Sequence, residues 1–434
     1  MVNMSYEKAN SDNFTINRLY LLLKTHSVLL SNYLLVIYAF FLPLSKDISN
    51  IAFSIFILLF FIDGDVVKKL KFVFRDRVII SIAIFVLMHI VWLFGADDYD
   101  NAQAKLSAMK HFIAIILIAS MVQKEFIIKI IAAFVFSMLF SEMCAYGIFF
   151  GLIEPFNNAT VENPVPFLLN HIVYSTFIAI ALGILIYHLF DKDKKIGLLS
   201  KIISTFFIIT ITFNILIISS RMGYILLFVV YCAMAVIVFR KYIIKALSLV
   251  IAIVSAFYLI AYASIENFNN RIEQAVVDIE QILYDKDYTT STGIRFGFHK
   301  YSFEFLKENP IFGAGTGDHI REVSTRIEHD KDPQGMLSVL SAGGQASLHS
   351  DYLDISVQFG LIGLLVFLNI FYQIYRYTQP DRYLRSMQIL IVVIVLIQAI
   401  PQGMVYLSPI NKLFILLLAL TLNLYQNRHS RTIA

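Results

Sequence analysis

The stretch NILIISSRMGYILLFVV, residues 214 to 230, sets one arginine, Arg221, inside a run that is otherwise apolar or small from Ile202 to Phe239. A charge at the centre of a bilayer costs roughly 2.5 to 3.5 kcal/mol even on lenient insertion scales, so Arg221 needs a reason to be there. The break SSRMG puts it at the turn of a tight hairpin between two helices. Two readings are open: an arginine that snorkels to lipid phosphates, or one that binds the anionic group of a substrate held at the membrane surface. Arg295 lies in STGIRFGFHKYSFEFLKENP, in the first turn of a helix behind the capping candidates Ser291 and Thr292; taken alone it is a surface arginine. His349, in SLHSDYLDISVQFGLIGLLVFL, stands at the entrance of a long apolar helix, where it caps, packs, or serves as a base near neutral pH.

Other chemistry is weaker. His299, His319, His329 and His349 miss the i, i+4 spacing of a helical zinc pair and have no cysteine near them, so no metal site is expected. Asp98-Tyr99-Asp100 reads as a solvated acidic loop rather than a cation site. IFGAGTGDH (311–319) is glycine-rich but lacks the Gly-Lys-Ser/Thr ending of a phosphate-binding loop; a turn that lets the backbone approach the bundle closely accounts for it. Cys144 and Cys232 both fall in apolar runs and read as packing residues.

The elements that must hold these residues are helices in a membrane. Of 434 residues, 58% are hydrophobic and only 15% charged. Such a chain is an all-α polytopic membrane protein. Apolar runs long enough to cross a bilayer recur about twelve times, near 28–44, 47–63, 78–95, 107–123, 126–151, 169–190, 202–219, 222–239, 246–264, 353–375, 386–402 and 408–425. Basic residues crowd alternate loops, among them Lys68, Lys69 and Lys71, then Lys192, Lys194 and Lys195, then Arg240 and Lys241, then Arg382 and Arg385. The positive-inside rule puts those loops and both termini in the cytoplasm and the segment from about 265 to 347 outside. The division expected is 1–264 with nine spans, a large outward loop 265–348 with amphipathic helices, and 349–434 with three more. SIENFNNRIEQAVVDIEQILYD opens the loop with Ile265, Phe268, Ile272, Val276, Ile279 and Leu283 at helical spacing. The net charge of +4 follows from topology and points to no nucleic-acid partner. The first apolar run ends in PLSKD, with no cleavage site of the signal-peptide kind.

Three pieces together resemble the bacterial O-antigen ligase family, which is related to the O-antigen polymerases: SSRMGYILL with Arg221, STGIRFGFHKYSFEFLKENPIFGAGTGDH with Arg295, and LHSDYLDISVQFGLIGLLVFL with His349. Their order and the helix layout with one large outward loop before the tenth helix match as well. In one departure, Ser350 follows the histidine where the family usually has Asn. The resemblance implies a glycosyltransferase of GT-C-like architecture in the bacterial inner membrane, its site facing the periplasm. It would transfer a glycan from undecaprenyl pyrophosphate to lipid A-core, with no cofactor and no metal. Arg221 and Arg295 would then clamp the donor diphosphate, since the planar guanidinium binds phosphate oxygens bidentately and stays charged. His349 would be the general base toward the acceptor hydroxyl. An O-antigen polymerase using the same donor remains open, as does a flippase with no chemistry.

Overall fold

The computed structural model describes residues 2–167, 169–191, 196–285, 288–330, 335–340 and 346–424, with the backbone alone for 2–20. Lys192, Lys194 and Lys195 of one basic loop, residues 331–334 and 341–345 of the outward segment, and the last ten residues lie outside the described residues.

Long runs of Leu, Ile, Val, Phe and Ala without an interior proline can satisfy their backbone in lipid only as helices, and the described residues form helices and no strand. In order these are α1 (Val2–Phe41), α2 (Lys46–Asp63), α3 (Val66–Val73), α4 (Arg77–Val91), α5 (Tyr99–Met121), α6 (Lys124–Phe149) and α7 (His171–Phe190). Then come α8 (Leu198–Ile217), α9 (Arg221–Val238), α10 (Ile243–Ser264), α11 (Glu266–Glu280), α12 (Ser291–Glu308), α13 (His319–His329), α14 (Met336–Leu340), α15 (Asp351–Arg376), α16 (Arg382–Gln398) and α17 (Ser408–Leu422). Each of the twelve apolar runs falls on a helix. Among the described residues, eight helices are long and apolar enough to cross a membrane, or nine if α2 and α3, bent by 108° at their junction, form one span. The protein is therefore a polytopic membrane protein with eight or more candidate spans among the described residues. α4 and α17, of 15 residues each, reach only about 22 Å at about 1.5 Å per residue.

Side-chain caps fix several helix starts. Asp76, Asp98, Asn170, Ser220, Thr290 and Asp381 each accept from a backbone N–H of the first turn that follows. The cap of α12 is thus Thr290, not the expected Ser291 or Thr292, because the Thr290 hydroxyl takes the Gly293 amide at 3.0 Å and the helix begins at Ser291. Arg295 consequently lies a full turn inside the helix. α12 ends at Glu308, before Pro310, as the proline demands. α11 buries Phe268 but leaves Val276 and Ile279 about half exposed, with Leu283 further out.

A continuous apolar core fills the bundle, and a second cluster joins α12, α13 and α14 to the start of α15 through Phe298, Tyr301, Phe305, Val323, Met336, Leu348 and Val357. The join depends on a break in α15. Gly360 has φ +63° inside that helix, which interrupts its hydrogen-bond ladder. The glycine-rich segment repairs the break: Ala314 N donates to Val357 O at 2.8 Å, Gly315 N to Gln358 O at 2.9 Å, and Leu361 N donates to Pro310 O at 2.8 Å. IFGAGTGDH is thus a close backbone approach, as its composition suggests. A Cβ at Gly313, whose φ is +69°, would lie 2.5 Å from the Gln358 carbonyl carbon. Gly313→Ala should therefore lower stability by about 3 kcal/mol or more from clash and strain together. Gly197→Ala, where nothing lies within 4 Å, should be near neutral. Thermal unfolding of the two purified variants in one detergent checks this; equal midpoints would refute the docking account.

Candidate functional site

α12 gathers the three candidate residues. Arg221 is the first residue of α9, behind the Ser220 cap, so its side chain starts at the positive end of a helix dipole. Its Nη1 donates to Asp278 Oδ2 on α11 and to Thr292 Oγ1 on α12, both at 2.6 Å. Arg221 is 27% and Asp278 9% exposed. The guanidinium ties α9, α11 and α12 together, with its Nε buried and free of any hydrogen bond.

One turn beyond Thr292, Arg295 Nε donates to Pro401 O at 3.1 Å and its Nη1 to Ser291 O at 2.5 Å. Burial, then the charge of Arg221, lowers the Arg295 pKa from its ordinary value. One turn further along α12, the Phe298 ring stacks on His349 at 6.1 Å between centroids and 7° between planes. Thr292, Arg295 and Phe298 recur at a spacing of three and share a face of α12. All three residues singled out in the sequence meet along it.

His349 sits in a left-handed turn, φ +54°, just ahead of α15. Asp354, fully buried one turn into α15, shapes that turn: Ser347 Oγ donates to its Oδ2 at 2.7 Å and Leu348 N to its Oδ1 at 2.9 Å. The Ser347 hydroxyl in turn accepts from His349 N at 3.1 Å. His319 Nε2 lies 3.1 Å from Asp354 Oδ1. Lys105, also buried, donates to Ala346 O at 2.7 Å, lies over the Tyr406 ring, and faces Asp354 and Asp351 with its charge. Burial, then the charge of Arg295, holds the His349 imidazole below the ordinary histidine value of 6.5, with Asp354 and Gln402 opposing. The ring is therefore neutral at neutral pH, and its buried Nδ1 makes no hydrogen bond within the chain. Such a nitrogen can receive a proton.

The floor is the connector between α16 and α17. Asp351 accepts from Met404 N at 2.8 Å and Val405 N at 2.9 Å, Pro401 O receives Arg295, and Gln402 adjoins His349. Asp351 is thus committed to holding the connector. Ser350, in the place of the family's usual Asn, donates to Ala399 O at 3.3 Å. Asp98 caps α5, and its backbone N–H donates to Asp318. Among the described residues no group of three or more His, Cys, Asp or Glu could hold a metal ion, and both cysteines are free.

Beside Arg221, a polar cavity of about 350 Å³ opens between the α6–α7 connector, the α8–α9 turn and α11. His171, Ser219, Asn267, Asn270, Arg271 and Gln274 line it with Glu162 and Asn163, and the charges of Arg271 and Arg295 both act on His171. Nothing in the sequence singles out Arg271, whose helix reads only as amphipathic, or His171, which merely starts an apolar run. Asp354 carried a usable signal, a carboxylate inside an apolar helix five residues after the histidine.

A family model described as O-antigen ligase matches residues 205–368. That segment is what the chain has in common with the O-antigen ligase family. It runs from α8 into α15 and holds Arg221, Arg271, Arg295, His349, Asp351 and Asp354, while Lys105 and the Pro401–Tyr406 connector lie outside it. No curated protein matches the chain. The family is one of glycosyl-transferring membrane enzymes that act on lipid-linked glycans, ligases or polymerases of O-antigen.

The Asp354 carboxylate and the Lys105 ammonium sit in one buried network, so removing one leaves the other uncompensated. Asp354→Ala should cost about 3 to 5 kcal/mol. Adding Lys105→Met should recover a large part of that loss. Unfolding midpoints of wild type, single and double variants form the cycle; a double variant no more stable than Asp354→Ala would show that the two charges do not interact.

Proposed function

We propose that the protein is an O-antigen ligase. In this reading it moves a glycan from undecaprenyl pyrophosphate to a sugar hydroxyl of lipid A-core, at the periplasmic face of the inner membrane and without a metal. The observation that carries it is the meeting of Arg221, Arg295 and His349 along α12, inside the segment that matches the ligase family.

The chemistry follows from those groups. The bond between the anomeric carbon and the diphosphate oxygen breaks as the acceptor oxygen attacks. The departing diphosphate gathers negative charge, which fixed cationic donors stabilise more strongly in a water-poor site. Arg221 offers its unpartnered Nε, and Asp278 holds the guanidinium in place until the diphosphate arrives. Neutral His349 takes the acceptor proton on Nδ1. The Asn- and Gln-lined cavity beside Arg221 suits sugar hydroxyls, and Arg271 adds a third cation for the donor. In this reading residues 265–348 form the periplasmic cover over a membrane frame made by 1–264 and 349–434.

His349→Ala should slow transfer by about a hundred- to ten-thousand-fold, the usual contribution of a positioned base. The wild-type rate should stay flat around neutral pH and fall on acidification, with a midpoint below 6.5, because the folded imidazole protonates only there. Both are read in one assay of purified full-length protein with lipid-linked glycan and lipid A-core, with and without chelator. Normal turnover by His349→Ala would overturn the base, and joining of two donor glycans in place of transfer to lipid A-core would mark a polymerase.

A further inference from the structure

Away from the arginines, a second cavity of about 420 Å³ lies between α2, α5 and α17. Three lysines line it, one from each helix: Lys46, Lys110 and Lys412. They are close enough for the first two to act electrostatically on the third. Among the described residues no Asp or Glu lines the cavity, and none pairs with these lysines. Their hydrogen bonds go to neutral groups: Lys412 Nζ to Asn50 Oδ1 at 2.8 Å and Lys110 Nζ to Ser107 Oγ at 3.4 Å. Three like charges turned toward one cavity repel one another, and a chain has no folding reason to collect them without an anion to bind.

The walls say what carries the anion. α2 and α17 start at this cavity and α5 passes it at mid-length, and each presents a face that changes from polar to apolar along its length. On α2, Lys46 and Asn50 give way to Phe53 and Ile57; on α5, Lys110 and His111 give way to Ala114 and Ile118; on α17, Ser408 and Lys412 give way to Ile415. From Lys46 to Ile57 the helix advances about 16 Å. A free anion would use only the first turn of this cavity, whereas a phosphorylated lipid matches its whole length, with phosphate among the ammonium groups and a chain along the apolar wall.

We propose that the α2–α5–α17 cavity binds the phosphate headgroup of an acylated anionic lipid, as a site separate from the arginine cluster. It shares none of its lining residues with the cavity beside Arg221. One wall is Tyr406, whose hydroxyl bonds Gln358 and His89 and whose ring lies under Lys105. The lipid would thus lie against the network that holds the His349 turn. The assignment stands whatever reaction the arginines serve.

The test uses full-length protein in a neutral detergent and counts bound lipid by native mass spectrometry, with phosphatidic acid, phosphatidylcholine and inorganic phosphate as probes. Wild type should retain phosphatidic acid over phosphatidylcholine. Lys46→Gln/Lys110→Gln/Lys412→Gln should weaken that retention by about tenfold or more, since charge-assisted hydrogen bonds are lost. Its unfolding midpoint without lipid should not fall, because the mutual repulsion goes with the charges. Lys110→Gln alone, at an exposed side chain, keeps the test open should the triple variant misfold, and it should weaken retention severalfold. Arg221→Ala should retain the lipid like wild type. Unchanged retention by the lysine variants, equal loss in Arg221→Ala, or displacement of the lipid by inorganic phosphate at similar concentration would each overturn the proposal.

Discussion

A carboxylate that lipid cannot solvate must be solvated by protein, and Asp354 imposes that demand on everything around His349. It is fully buried one turn into α15, so it draws in the Leu348 amide and the Ser347 hydroxyl and faces the Lys105 charge. Two of these lie in the turn that ends at His349. A hydrogen-bonded charge of this kind is strongly directional, and truncating it leaves its partners unsatisfied in a medium without water. The left-handed backbone at His349 is the consequence, and it turns the ring onto Phe298.

The same constraint explains why irregular backbone is allowed here at all. A helix broken at Gly360 exposes peptide groups that must be paired at once. The segment 310–315 supplies those pairs and brings α12 against α15. α12 then carries Thr292 to Arg221, Arg295 to Pro401 and Phe298 to His349. Asp351 secures the opposite wall through Met404 and Val405. Two adjacent acidic residues on α15 therefore hold the two sides of one site, and both act as positioning residues.

Much of this was legible in the sequence, for reasons that differ by residue. Helices were visible because lipid removes every alternative, and the end of α12 because Pro310 forbids its continuation. Arg221 stood out because a charge in an apolar run is rare. Its partner Asp278 did not, because it lies 57 residues away on a helix rich in acidic residues, where nothing marks one carboxylate from the next. The start of α12 was misplaced because Thr290, Ser291 and Thr292 are equivalent as caps until geometry selects one. Lys105, the connector 401–406 and Arg271 carry no mark in the sequence, because each matters through a contact made across the fold.

In the proposed function Arg221 and Arg295 form one diphosphate site while His349 acts as base beside it. The most direct measurement is the affinity of purified protein for an undecaprenyl-diphosphate glycan, by titration, in wild type, Arg221→Ala, Arg295→Ala and His349→Ala. Loss of charge-assisted hydrogen bonds worth about 1.5 to 3 kcal/mol should weaken binding roughly ten- to hundredfold in each arginine variant. His349→Ala should bind as wild type does. Arginine variants that hold the donor as tightly as wild type, or a His349→Ala affinity that falls with theirs, would contradict the account.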